Sequence, residues 1–188
     1  MSEWTAETAE WYAERYGDYP TNRLTIEHLD LADDATILDV GCGTAAALRH
    51  ASAKVTDGSL IGVDPVPRMV EIAQEQLADH PAAERIELHV APAHELPLDD
   101  VSVDVVLALD SYDHWAPHQL EGLAEVRRVL TPGGRFVVVK DASVPSSAKS
   151  KRSFLQALAE EGFTVIDERE TEASDVSFTT WICEVSPE

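Results

Sequence analysis

Apolar positions along this chain follow two rhythms, a helical one and a strand one, and they take turns. Tyr12, Tyr16 and Tyr19 recur at helical spacing, so one face of an N-terminal helix is aromatic. Gly17 and Pro20 end that helix, and Thr21 or Asn22 caps a second one running to about Leu31. Residues 36–40 are then a short β-rich run that ends in glycines. Residues 45–53 read as helix, 60–63 as strand, 68–78 as helix and 86–90 as an alternating strand. The stretch 101–109 is apolar and β-branched, which predicts a buried strand. Residues 117–130 read as helix, 131–134 as a Thr-Pro-Gly-Gly turn and 135–140 as strand.

Strands alternating with helices predict a doubly wound α/β domain with a parallel sheet. The tail departs from that alternation. A helix at 150–161 is stopped by Gly162 and followed by strands at 163–168 and 176–185. The polar stretch between them, 169–175, is short enough for an antiparallel hairpin. The expected architecture is a mostly parallel seven-stranded sheet with an antiparallel final strand.

Composition narrows the setting. The 188 residues fit one domain, 1–188, with 1–31 as a helical lid and 32–188 as the core. No apolar run approaches the roughly 18 residues of a membrane span, and no basic-then-apolar leader opens the chain, so a cytoplasmic protein is expected. Cys42 and Cys183 make neither a disulfide framework nor zinc-type spacing. The formal charge is −21, with four lysines in all. Such a surface repels phosphate backbones, so nucleic acid is disfavoured as a partner. Acid-rich, lysine-poor, alanine-rich composition is also similar to that of proteins from salt-loving archaea, where the charge reflects the solvent as much as the partner. Lys149, Lys151 and Arg152 are the one basic cluster, expected as a solvated helix start.

The chemistry concentrates where the first strand meets the next helix. In Ile37-Leu38-Asp39-Val40-Gly41-Cys42-Gly43-Thr44 the glycines allow positive φ and close approach of a ligand to the backbone. The following helix offers unpaired N–H groups. Asp64 comes 21 residues after Gly43, at the end of the next strand, where an acid can accept both hydroxyl protons of an adenosine ribose. Gly41, Gly43 and Ala46 also satisfy the dinucleotide pattern G-x-G-x-x-G/A, so the glycines alone leave two cofactor classes open.

Further motifs then fall in order. The chain carries Val63-Asp64-Pro65 with Met69, His94-Glu95-Leu96-Pro97-Leu98, Val103-Asp104-Val105-Val106, Asp113-His114-Trp115, and 125–135 ending in Thr-Pro-Gly-Gly-Arg. Together with Asp39-Val40-Gly41-Cys42-Gly43-Thr44 these resemble the class I S-adenosylmethionine-dependent methyltransferases over residues 10–185. The resemblance implies a Rossmann-like fold, S-adenosyl-L-methionine as cofactor, and methyl transfer to a small-molecule acceptor by a monomer or homodimer. Two positions depart from the family. Ala45 stands where it usually has a third glycine, and Pro92 where it usually has an acid for the adenine amino group, which leaves a cofactor-binding regulatory protein of the same fold without turnover, or a nucleic-acid methyltransferase, as the alternative.

By position, the resemblance implies that Gly41, Cys42 and Gly43 lie along the methionine moiety and that Asp39 steadies the loop or the methionine ammonium. It gives the ribose diol to Asp64, and the adenine or ribose flanks to Val66, Met69, Ala93 and His94. Asp110 and Ser111 are to line the cofactor's reactive end. His114 is the candidate general base, imidazole being the side chain that titrates nearest neutral pH. Trp11, Tyr12, Tyr16, Tyr112 and Trp115 are the candidate substrate contacts. His114 and His118 lie four apart, but Pro117 starts the helix between them, so no metal is expected.

Overall fold

The computed structural model describes residues 5–142, 148–173 and 176–186, with the side chains of 148–150 left out. Trp4 and the side chain of Lys149, a member of the basic cluster of the sequence, lie outside the described residues. Seven strands form one sheet: β1 (Thr36–Val40), β2 (Ser59–Asp64), β3 (Ile86–Val90), β4 (Val103–Leu109), β5 (Leu130–Asp141), β6 (Phe163–Ala173) and β7 (Val176–Val185). Their order is β3-β2-β1-β4-β5-β7-β6. All neighbours pair parallel until β7, which runs antiparallel to both β5 and β6. The expected fold class is the observed one.

Successive residues of the central strands enter opposite cores, as strand pleat requires. Leu38, Val106, Phe136 and Val138 pack with α5 (Gln119–Val129) and α6 (Ala148–Glu160). Ile37, Val105, Leu107 and Val137 pack with α2 (Pro20–His28), α3 (Ala46–Ala51) and α4 (Pro67–Leu77). Burial on both faces is why these strands read as continuous apolar runs. The remaining helix, α1 (Ala6–Tyr16), rests on α4 through Ala9, Met69 and Ile72, reinforced by an Arg68–Glu10 ion pair at 3.1 Å. Among the described residues no helix is long and apolar enough to cross a membrane.

The chain builds β1, β2 and β3 outward in one direction and then crosses back to place β4 on the other side of β1. This reversal leaves a crevice beyond the carboxyl ends of β1 and β4, the place where open α/β sheets bind ligands.

Three local expectations change. Helix α2 starts at Pro20 rather than at a Thr21 or Asn22 cap, because a proline at the first helical position gives up no intrahelical bond. Residues 131–134 are not a free turn. Helix α5 passes straight into β5 at Leu130, which pairs with Val103, and the strand resumes register at Val105–Arg135. Strand β6 extends through the charged stretch to Ala173, since its side chains face solvent while its backbone pairs with β7.

Candidate active site

The crevice holds a cavity of about 300 Å³, within the range of small-ligand sites. Its floor is the turn after β1. Gly41, Gly43 and Ala45 all have positive φ there, at 78°, 52° and 61°. The two glycines serve different ends. A Cβ on Gly41 would lie 2.5 Å from the Ser111 Cβ, so that glycine is required by the packing of the loop after β4. A Cβ on Gly43 would meet nothing within 4 Å, so its bare face opens to the cavity. Ala45, at the third-glycine position, takes the left-handed conformation anyway and is fully buried. Its methyl group lies in the core cluster and is not part of the cavity wall.

Asp64 sits at the end of β2 with both oxygens held. Gly43 N–H donates to Oδ2 at 3.1 Å and Val66 N–H to Oδ1 at 2.9 Å. Each oxygen keeps a second lone pair, so the fixed carboxylate can still accept a pair of hydroxyls. Burial raises its pKa, while the two N–H bonds and the charge of His114 work the other way. Ala91, Pro92, Ala93 and His94 continue the wall beyond β3. Pro92 brings no side-chain acceptor, and Glu95 is exposed and outside the lining. The backbone N–H groups of Ala93 and His94 have no hydrogen-bond partner among the described residues, which leaves them as the polar groups for a purine ring.

Asp110 follows β4 with φ 56° and ties the N-terminal segment to the sheet. It accepts the Asp141 N–H at 2.7 Å and the Thr21 hydroxyl at 3.1 Å, and Tyr19 donates to Asp141 at 2.8 Å. Burial pushes the Asp110 carboxyl up to about 6 against those two hydrogen bonds. Above it, burial followed by the charges of Asp110 and Asp64 pushes the Tyr12 hydroxyl up to about 12. Ser111 donates to the Val40 carbonyl, and the Thr44 hydroxyl to the Gly17 carbonyl, closing the loops around the cavity.

Most of the expected residues converge on this space. Gly41, Cys42, Gly43, Asp64, Val66, Met69, Ala93, His94, Asp110, Ser111, His114, Tyr12, Tyr16 and Trp115 all line it. Three do not. Asp39 is 3% exposed and lies behind the floor, its Oδ1 without a hydrogen-bond partner, and burial with the nearby Asp64 pushes it up to about 7. Tyr112 points into the core, packed against Trp115 and Phe154, because the 3-10 turn at Tyr112–Trp115 faces it inward. Trp11 is 53% exposed on the outer face of α1, edge-on to Tyr16 and beneath Arg15. Burial raises the Cys42 thiol well above its ordinary range, so it is an apolar wall atom and no nucleophile.

The lining also includes Gly17, Asn22, Thr44 and His118, which the linear pattern presented as a helix stop, a cap, a loop end and a residue of the helix that Pro117 opens. His118 stacks on His94 with ring centroids 4.3 Å apart. Among the described residues no cluster of three metal-ligating side chains exists.

Comparison with known proteins gives the same site a context. The profile of the methyltransferase domain family matches residues 37–134, just over half of the chain. A ubiquinone/menaquinone biosynthesis C-methyltransferase from a Geobacter strain is 33% identical over 63% of this chain and 50% of its own length. An O-methyltransferase from Penicillium expansum is 31% identical over 77% of this chain and 52% of its own. The chain thus spans about half the length of these curated relatives. Among solved structures, an S-adenosylmethionine-dependent methyltransferase from Aquifex aeolicus superposes with TM-score 0.76 at 19% identity, covering 96% of this chain and 99% of that one.

Proposed function

The chain belongs to the class I S-adenosylmethionine-dependent methyltransferases, and from that premise we propose that it methylates a small molecule by in-line displacement. The observation that carries the reading is the pairing of Gly43 with Asp64. An open glycine face and a fixed carboxylate stand side by side in one cavity, as a nucleoside with a trailing amino-acid arm requires.

When bound, S-adenosylmethionine supplies a methyl carbon activated by a sulfonium. Asp64 accepts the ribose hydroxyls. Val66 and Met69 give the nucleoside an apolar side, and the Ala93 and His94 N–H groups meet the adenine edge. The turn at 41–44 would hold the methionine arm against backbone, and the buried Asp39 would favour a cationic ammonium on that side. Tyr12 and Tyr16 enclose the acceptor from α1, and alignment of the reacting atoms by such walls supplies on the order of 7–11 kcal/mol. His114, at the rim, takes the proton the acceptor must shed.

A small acceptor is supported by the aromatic enclosure and by the −21 charge, which disfavours a phosphate backbone. The names of the relatives, a quinone-biosynthesis C-methyltransferase and an O-methyltransferase, point the same way. The acid-rich, lysine-poor composition supports a protein that works in a salt-rich cytoplasm.

Calorimetric titration with S-adenosylmethionine, S-adenosylhomocysteine and NAD, in low salt and in molar potassium chloride, tests the reading. Binding of the two sulfur compounds without NAD is expected. Binding of NAD alone, or of none by folded protein, overturns it.

A further inference from the structure

Residues 91–102 link β3 to β4 with neither helix nor strand, yet the first four of them line the cavity. Glu95 N–H donates to the Pro92 carbonyl at 3.1 Å, so residues 92–95 form a tight turn. Such a turn leaves the N–H groups of its two central residues unused, here Ala93 and His94. What fixes their direction lies outside the turn, on one face of α5 and its cap. The His118 ring stacks on His94, and Gly122 leaves room for Ala93, whose Cβ would lie 3.4 Å from a side chain there. One turn further along, Glu125 Oε2 accepts the Leu96 N–H at 2.9 Å. Arg128 donates through Nη2 to the Leu96 carbonyl at 3.1 Å and through Nη1 to the Leu98 carbonyl at 2.8 Å. The same guanidinium forks onto both oxygens of Glu125, at 2.7 and 2.8 Å, and reaches Asp100 at 2.8 Å.

A partly exposed ion pair adds little to stability. This one directs its remaining donors and acceptor at loop backbone. Both backbone polar groups of Leu96 are pinned two residues beyond His94, so α5 sets the plane of the turn. Pro92 sharpens the consequence. At the position where the family usually has an acid for the adenine amino group, its ring offers no side-chain acceptor. The purine atom next to that amino group is ring N1, an acceptor in adenine. In a base with a keto group at carbon 6, N1 carries a proton. Fixed N–H groups admit the first and oppose the second, whose own N–H would face donors with no acceptor between them.

Resting on the methyltransferase reading above, we propose that Glu125 and Arg128 are positioning residues for the base. They hold the turn at 92–95 so that its free N–H groups read ring N1 of adenine, while the 6-amino group goes unread.

Calorimetry with three thioethers tests this: S-adenosylhomocysteine, its 6-keto analogue S-inosylhomocysteine, and the analogue with hydrogen at carbon 6. Wild-type protein should bind the 6-keto compound about tenfold more weakly than the adenine one, the cost of an unmet donor. It should bind the 6-hydrogen compound within about threefold of the adenine one. In Arg128→Met, Arg128→Lys and Glu125→Gln the tenfold ratio should shrink to about threefold or less. Arg85→Met is the control. Arg85 likewise holds backbone carbonyls, those of Val55 and Ser52, and neither residue lines the cavity. This variant should lose thermal stability and keep the ratio. Equal binding of the adenine and 6-keto compounds by wild-type protein overturns the proposal. So does a 6-hydrogen compound as weak as the 6-keto one, which means that the amino group is read. A ratio undiminished in folded Arg128 and Glu125 variants overturns it too, as does an equal loss in Arg85→Met, which makes the ratio a measure of general loosening. Where Arg128→Met does not fold, the isosteric Glu125→Gln decides. Failure of all three thioethers to bind folded wild-type protein is a different outcome: it removes the methyltransferase reading and this inference with it.

Discussion

The Gly43 N–H donates to Oδ2 of Asp64 at 3.1 Å, joining the floor of the cavity to the acid that crowns β2 across 21 residues of chain. With Val66 N–H on the other oxygen, the carboxylate is aimed before any ligand arrives. Asp64→Ala removes both the charged acceptor and the brace on the glycine turn. Cofactor affinity should fall about 100-fold, the loss of charge-assisted hydrogen bonds to two hydroxyls. Calorimetry on variant protein with unchanged circular dichroism checks this, and unchanged affinity would mean the ribose lies elsewhere.

Asp39 makes stability depend on pH. Its folded pKa is pushed up to about 7 from an ordinary value of 3.8 by burial and then by Asp64. Between those values the folded chain holds a proton that the unfolded chain has released. Stability is therefore fully present below about pH 4 and lost as pH rises through 7, by on the order of a few kcal/mol. Asp110, pushed up to about 6, acts in the same direction over a narrower window. Urea midpoints at pH 5 and pH 8 should differ in this sense, and Asp39→Asn should shrink the difference.

His114 is exposed and lines the same cavity as Asp64. If it takes the acceptor's proton, His114→Gln should lower kcat by about 10²-fold, the lower end of general-base effects. S-adenosylhomocysteine affinity should stay within about threefold, since no cofactor contact is assigned to it. A parallel loss of both would recast His114 as a binding residue.

Ala45 carries backbone strain of about 1–2 kcal/mol, as a left-handed residue with a Cβ. Ala45→Gly relieves it and gives up about 0.8 kcal/mol of buried methyl, so the variant should be equal to or up to about 1 kcal/mol more stable than wild type. Ala47→Gly is the control. It lies within α3 and is equally buried, and it should cost about 1–2 kcal/mol. Thermal denaturation of the pair separates backbone strain from packing.

Two aromatic residues of α1 should behave differently. Tyr16 lines the cavity and Trp11 does not, although the two rings touch at 5.9 Å. Tyr16→Ala should weaken cofactor or acceptor binding by about tenfold, whereas Trp11→Ala should leave it within about twofold. Competition binding with S-adenosylhomocysteine reads both.

The sequence by itself determined the architecture and the floor of the site. Doubly buried strands must be apolar throughout, helices must be periodic, and a turn that needs positive φ recruits glycine, so these features are written in neighbouring residues. Gly43 and Asp64 were legible for the same reason: each sits at the end of a strand that the pattern itself delimits. Side-chain direction at irregular segments was not legible. Tyr112 and Trp115 share a 3-10 turn, and only the packing of Phe154 and Phe136 against it decides which ring serves the core and which also reaches the cavity. Asp39 reads as a site residue but lies behind the floor, because strand alternation gives the face of a side chain and not its depth. The latch from Asp110 to Thr21 and Asp141 joins residues 89 and 31 positions apart. No local rhythm encodes such a contact. It exists because the chain reverses direction between β1 and β4 and brings three strand ends and the N-terminal helices to one crevice.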